Sequence, residues 1–316
     1  MTAKIVVVGS LNMDLIARSP HIPVPGETVL GSRFSTAAGG KGANQAVAAV
    51  RLGAQVTMVG CVGRDDYGRQ LLSGLQADGV DTQFVRVAED SHTGVALITV
   101  DDEGENSIVV ISGANWQLTL EDVAAAETTV AQADMLVLQL ESPLEVVEFA
   151  AALAARHGVP VLLNPAPARP LPASLLANIT YLVPNESEAA LLADCAVDDM
   201  DGVKTAVARL RQLGVANIIV TMGSRGAYLH SDDDSRRIPA FRVQPVDTTA
   251  AGDAFVAGLA VAVGEGRPLA EAVRFAAAVG ALAATQHGAQ PSLPERTAVT
   301  LALNSPKHAS KRSGSA

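Results

Sequence analysis

Hydrophobic residues in this chain alternate between two patterns. Short unbroken apolar runs occur in "KIVVVGS" (4–10), "QVTMVGCVG" (55–63), "MLVLQLE" (135–141), "VPVLLNPAP" (159–167), "ITYLVPN" (179–185) and "NIIVTMG" (217–223). Runs of this length and β-branched content predict strands covered on both faces. Between them lie stretches with helical spacing: "ANQAVAAVRLG", "GRQLLSGLQADG", "LEVVEFAAALAARHG" and "VKTAVARLRQLG". Gly53 is expected to end the first of these. Strands alternating with helices predict an α/β fold, a doubly wound and mostly parallel sheet flanked by helices. Ligands of such sheets bind beyond the carboxyl ends of the strands.

Two segments leave this rhythm. Residues 15–37 carry prolines and short extended pieces. Residues 92–112, "HTGVALITVDDEGENSIVVIS", alternate like a hairpin around "DDEGEN". Neither has a helix of its own. Together they predict a small β-sheet lid inserted into a single domain spanning 1–303. A lid over a strand-end cleft excludes water. An edge used only for dimer contact is the other reading, and one lid can serve both purposes. The polar, basic residues 304–316 read as a disordered tail.

Composition narrows the chemistry. A net charge of −10 and 3% aromatic content argue against a nucleic-acid surface. The two cysteines, Cys61 and Cys195, form no metal-binding spacing and suggest a reducing compartment. No apolar run reaches the roughly 20 residues needed to cross a bilayer, and "KIVVVGS" is too short for a signal-peptide core, so a cytoplasmic protein is expected. His21 and His92 fall in the lid segments, where surface positions are expected.

Three stretches carry candidate chemistry. "GGKGANQAV" (39–47) places glycines before a helix, where a ligand can approach the backbone. It is not a Walker A loop, no dinucleotide fingerprint is present, and a tight turn alone would also explain it. "GSLNMD" (9–14) follows the first strand, and Asn12 and Asp14 point the same way if the segment is extended. An Asx turn is the alternative there. Glu141 ends another strand run and would matter only if it met Asn12 and Asp14 across the cleft. In "DTTAAGDAFVAG" (247–258), a helix starting near Ala251 makes the N–H groups of Ala250, Ala251 and Gly252 an anion nest beside Asp253. That pairing suits phosphoryl transfer, although Asp253 could simply cap the helix.

The runs "GGKGANQAVAAVRLG" and "DTTAAGDAFVAG" resemble the two signatures of the ribokinase-like (PfkB) family of carbohydrate kinases. The likeness extends over roughly residues 4–295 and includes "PGETV", "HTGVALI", "QLESPLE", "LNPAPAR", "PNESEA", "TMGSRG" and "GAQPS" in order. It implies a ribokinase-like fold and ATP-dependent phosphorylation of a small sugar, D-ribose at O5 first among candidates. Another small sugar such as deoxyribose or fructose, a nucleoside, or a non-catalytic sugar-binding regulator are the alternatives.

The resemblance also implies roles. Asn12, Asp14, Gly40, Lys41, Gly42, Asn44 and Glu141 would bind sugar, with Asp253 as general base. Ala250, Ala251 and Gly252 would form the anion hole. Asn185, Thr221, Gly223, Ser224, Gly226, Gly252 and Ala277 would lie along ATP, and Glu188 would organise Mg²⁺ through water. Asp247, Thr249, Ala283, Gln286, Gly288 and Ser292 would surround K⁺. A homodimer through the lid is implied as well. Two departures stand out: Ala250 occupies a usual glycine position, and Ala277 stands where relatives carry a polar or aromatic residue beside adenine.

Overall fold

A computed structural model describes residues 2–305. The chain starts with β1 (Lys4–Val8), then β2 (Asn12–Arg18), β3 (Arg33–Gly39) and α1 (Lys41–Arg51). Next come β4 (Gln55–Gly63), α2 (Asp66–Asp78), β5 (Asp81–Ala88), β6 (Gly94–Val100) and β7 (Asn106–Ile111). The middle holds α3 (Leu120–Ala125), α4 (Glu127–Ala131), β8 (Met135–Leu138), α5 (Leu144–Arg156), β9 (Val161–Leu163), α6 (Ala173–Leu176), β10 (Tyr181–Leu182) and α7 (Glu186–Ala193). The last part is α8 (Met200–Gln212), β11 (Asn217–Thr221), β12 (Ala227–His230), β13 (Ser235–Ile238), α9 (Ala251–Gly264), α10 (Leu269–Ala283) and α11 (Arg296–Asn304).

The main sheet runs β13-β12-β11-β10-β9-β8-β1-β4-β5. All of its neighbouring pairs are parallel except β11–β12 and β12–β13. The apolar runs follow from burial on both faces. Ile5 and Val7 of β1 join one core with α1, α9 and α10, while Val6 and Val8 join a second core with α5 and α8. The six runs correspond to β1, β4, β8, β9, β10 and β11. β5 and the antiparallel pair β12–β13 lie outside these runs. "TQFVRVA" lies in the edge strand β5, where mixed polarity hides the strand pattern. Gly53 follows the α1 cap residue Leu52 with a φ of 92°, and Gly53 and Ala54 donate to Val50 and Ala49. The helix therefore ends in a Schellman-type turn one residue before the glycine.

The smaller sheet runs β3-β2-β6-β7. Its strands come from the two irregular segments, and the "DDEGEN" turn joins β6 to β7. The sheet begins at Asn12, so the lid strand grows directly out of the segment that follows β1. Strand alternation divides the lid into two faces. One carries Asn12 and Asp14 with Gly39, Gly94 and Ala96, and the other carries Leu15 beside Leu97 and Val109. Asn304 closes α11, and residues 306–316 of the expected tail lie outside the described residues.

Candidate active site

β1 sits in the middle of the sheet, with β4 on one side and β8 on the other. The chain leaves β1 toward β4 and β5 and returns to β8 on the opposite side, which makes the β1/β8 boundary the topological switch point. The segments after these two strands meet there: Ser10 Oγ donates to Glu141 Oε2. The glycine loop is pressed onto the same place. Gly40 has a φ of 89°, and a Cβ on it would lie 2.6 Å from the Asn12 nitrogen. A Cβ on Gly42 would lie 2.6 Å from the Ser10 nitrogen. Only glycine permits this approach. No side chain of α1 caps its N-terminus; Glu141 accepts from the Lys41 N–H at 3.2 Å instead.

Asn12 and Asp14 are buried and share one face of β2. Asn12 Oδ1 accepts from Asn115 Nδ2 at 2.7 Å, and Asn115 also grips both backbone polar groups of Leu11. That bond turns the Asn12 amide so that its NH₂ group is left to donate to a ligand. Burial, then the nearby Glu141 and Asp253 charges, raise Asp14 from 3.8 to about 7. Lys41 lies among Asp253, Glu141 and Glu188. Burial opposes its charge, but the three carboxylates together hold it above its ordinary value.

Asp253 lies in the first turn of α9 and is 6% exposed. Asn44 Nδ2 donates to its Oδ2 at 2.9 Å, and Gln45 Nε2 donates to its Oδ1 at 3.0 Å. Asp253 is not the helix cap, because the cap residue is Ala250 in the left-handed region at φ 58°. This turn frees backbone donors, though not the three expected. The Ala251 N–H donates to the Thr248 carbonyl at 3.1 Å, so it is spent on the turn. Among the described residues, the N–H groups of Ala250, Gly252 and Asp253 have no partner. The nest is therefore 250, 252 and 253, and a Cβ on Gly252 would meet nothing within 4 Å.

Asn185 and Glu188 cap α7 reciprocally. Asn185 Oδ1 accepts from the Glu188 N–H, while Glu188 accepts from the Asn185 N–H and Nδ2. Burial raises Glu188, the Asn185 backbone bond and Lys41 oppose this, and Asp253 adds to it. Asn185 bridges to Thr221 at the ends of β10 and β11. Gly223 and Ser224 are exposed in the following 3-10 turn, which Gly226 closes, and Ala277 is half-buried on α10.

Asp247 binds both ends of another loop. Its Oδ1 accepts from Thr249 N–H and Oγ1, and its Oδ2 accepts from the Gly288 N–H. Burial works against its charge, but these bonds and His287 pull it below the usual carboxylate range. The Ala284 carbonyl, rather than that of Ala283, faces this segment by accepting from Val246 and Asp247. Ala283 O accepts from the Gln286 N–H, and Ser292 Oγ donates to Ala289 O.

Residues 2–296 match the pattern of the pfkB family of carbohydrate kinases. The chain belongs to this family. A ribokinase of Haemophilus influenzae is 42% identical, over 94% of this chain and 97% of that one. A deoxyribokinase of Salmonella typhimurium is 40% identical, over 92% and 95% respectively. The structure of Arabidopsis thaliana ribokinase complexed with ribose and ATP superposes with a TM-score of 0.89 at 34% identity, covering 96% of this chain and 99% of that one. This pfkB family member is a sugar kinase.

Within this kinase the structure gathers Asn12, Asp14, Lys41, Asn44, Glu141 and Asp253 at the switch point, with Glu188 in electrostatic reach. Asn115 lies outside every quoted motif, whereas Gln45, Gln139 and Asn164 stand inside "GGKGANQ", "QLESPLE" and "LNPAPAR" without an assigned role, because only the fold brings them to Asp253. His21 and His92 are exposed, and the cysteines are unpaired. No helix among the described residues is long and apolar enough to cross a membrane.

Proposed function

We propose that this kinase transfers the γ-phosphoryl group of ATP to O5 of D-ribose, giving D-ribose 5-phosphate and ADP. The observation that carries this is the pairing of the Asp253 carboxylate with three unpartnered backbone N–H groups at one helix start. Asp253 takes the hydroxyl proton as O5 bonds to phosphorus and the bond to the ADP oxygen breaks. The N–H groups of Ala250, Gly252 and Asp253 stabilise charge on the moving group. Asn12, Asp14, Asn44 and the backbone of Gly40 and Gly42 hold the other hydroxyls. Lys41 sits where it balances acids on the sugar and nucleotide sides. ATP lies along Asn185, Thr221, Gly223, Ser224, Gly226 and Ala277.

Asp14, Glu141, Asp253 and Glu188 leave the site rich in negative charge beside the single Lys41. This suits a nucleotide that arrives with Mg²⁺; Glu188 would help to hold that ion, which would supply charge neutralisation on the phosphates. The segments that hold Asp247, Thr249, Ala283, Gln286, Gly288 and Ser292 offer one carboxylate, hydroxyls and carbonyls. Such hard oxygen donors fit K⁺. Its role would be to brace the α9 start. One kinase domain over 1–303 carries the inserted lid, which also forms a homodimer contact. A cytoplasmic location fits the use of ATP and the two free thiols.

The deoxyribokinase relative makes 2-deoxyribose the rival substrate. A panel of ribose, deoxyribose, fructose and nucleosides with coupled ADP detection separates them. Ribose is expected to give the highest kcat/KM. A higher value for another acceptor overturns the ribose assignment, and sugar binding without ADP release would indicate a non-catalytic regulator.

A further inference from the structure

Asp253 is backed by a chain of three buried amides. Asn164 Nδ2 donates to the Val183 carbonyl at 3.1 Å. Gln45 Nε2 donates both to Asn164 Oδ1 at 3.3 Å and to Asp253 Oδ1 at 3.0 Å. Gln139 Nε2 donates to Gln45 Oε1 at 2.6 Å. Gln45 and Gln139 are each 1% exposed.

The direction of these bonds is not free. A backbone carbonyl can only accept, so Val183 forces Asn164 to turn its NH₂ outward and its oxygen toward Gln45. Gln45 must then present NH₂ to Asn164, and the same NH₂ has its second hydrogen for Asp253. Its oxygen is left facing Gln139, which must donate in turn. The far end shows the consequence. Gln139 Oε1 has no partner among the described residues, and it packs so close to Gly9 that a Cβ there would lie 1.9 Å away. Reversing Gln45 would set its oxygen against the oxygens of Asn164 and Asp253.

We propose that Asn164, Gln45 and Gln139 are positioning residues: a relay of fixed polarity that keeps an N–H donor on Asp253 Oδ1 and so holds the base ready for the sugar proton. The proposal rests on Asp253 as base. A donor aimed at a carboxylate favours its charged form. Asn44 Nδ2 donates to the other oxygen, Oδ2, at 2.9 Å, so Oδ1 depends on Gln45 alone among the described side chains. The charged groups facing Asp253 are Lys41 from α1, Asp14 from β2 and Glu188 from α7, with Glu141 behind Asp14. All four stay intact in the variants below.

The test is the pH profile of kcat at saturating sugar and ATP for the parent, Gln45→Met, Gln139→Met and the double variant. The acidic limb is expected to move up by about one pH unit in Gln45→Met, about a tenfold loss of rate below the limb. Gln139→Met should move it less, in the same direction, because Gln45 then loses its orienting partner. The double variant should match Gln45→Met, since Gln139 acts only through Gln45. A lower kcat with the limb unmoved, or additive shifts, overturns the relay. Should Gln45→Met fail to fold, Gln139→Met leaves α1 untouched and reads the same limb. Asp253→Asn separates the two ideas: near-normal turnover there rejects the base itself, whereas lost turnover with an unmoved limb in the glutamine variants rejects only the relay.

Discussion

Asp14 is held in the fold at a cost that depends on pH. Its folded value of about 7 lies above the 3.8 of the free side chain. Between those values the folded chain keeps a proton that the unfolded chain has released. Stability therefore falls as pH rises through that window, and the deficit is complete above it. Asp14→Asn removes the charge and keeps the shape. It is expected to stabilise the ligand-free protein, and by about 1–2 kcal/mol more at pH 8 than at pH 5.5. Urea denaturation at both pH values checks this, and an equal gain at both would contradict it. The same variant is expected to weaken sugar binding, so stability and function oppose each other at this residue. Asp253 is the converse case, where the shape matters less than the proton. Asp253→Asn is expected to bind sugar in calorimetry and to lose about 10²–10⁴-fold in kcat. Near-normal turnover would remove it from the role of base.

At the scale of elements, α9 has an unusual start. An alanine adopts the left-handed conformation at its cap, where glycine carries no Cβ penalty. Ala250→Gly is expected to stabilise the protein by up to about 1 kcal/mol, the relief being offset in part by glycine's backbone entropy. Chemical denaturation measures it, and a loss of stability would show that the Ala250 methyl packs favourably. The same helix start is tied through Asp247 to the loop at Gly288. Asp247→Ala cuts both the Thr249 and Gly288 bonds. Turnover of the parent is expected to rise with K⁺, and that rise should shrink markedly in Asp247→Ala. An unchanged K⁺ response would place the ion elsewhere.

At the scale of the whole molecule, the second lid face packs Met13, Leu15 and Val95 against the main core and opens to solvent beyond them. Phe34, Leu97 and Val109 share the second face and are 66%, 46% and 58% exposed. An apolar sheet face of this kind favours association. Replacing Leu97 and Val109 together by Asp is expected to convert a dimer to a monomer in sedimentation velocity. A parent that sediments as a monomer would reject the lid dimer outright.

Local pattern was enough for much of this. Unbroken apolar runs marked six of the main-sheet strands, because burial on both faces leaves no polar positions. The glycine loop and "DTTAAGD" were readable because close backbone approach and helix starts have local signatures. Edge strand β5 was not, since one exposed side breaks the run. Other features depended on residues far apart in the chain. Asp253 meets Gln45 across 208 positions, and Asn12 meets Asn115 across 103. Ala251 looked like an anion donor until the turn to Thr248 consumed its N–H. Fold class, family and the acids that gather at the switch point were all legible in the amino-acid order. Which amides orient them and which N–H groups stay free emerged with the packed fold, because hydrogen-bond partners are chosen by packing rather than by neighbours in the chain.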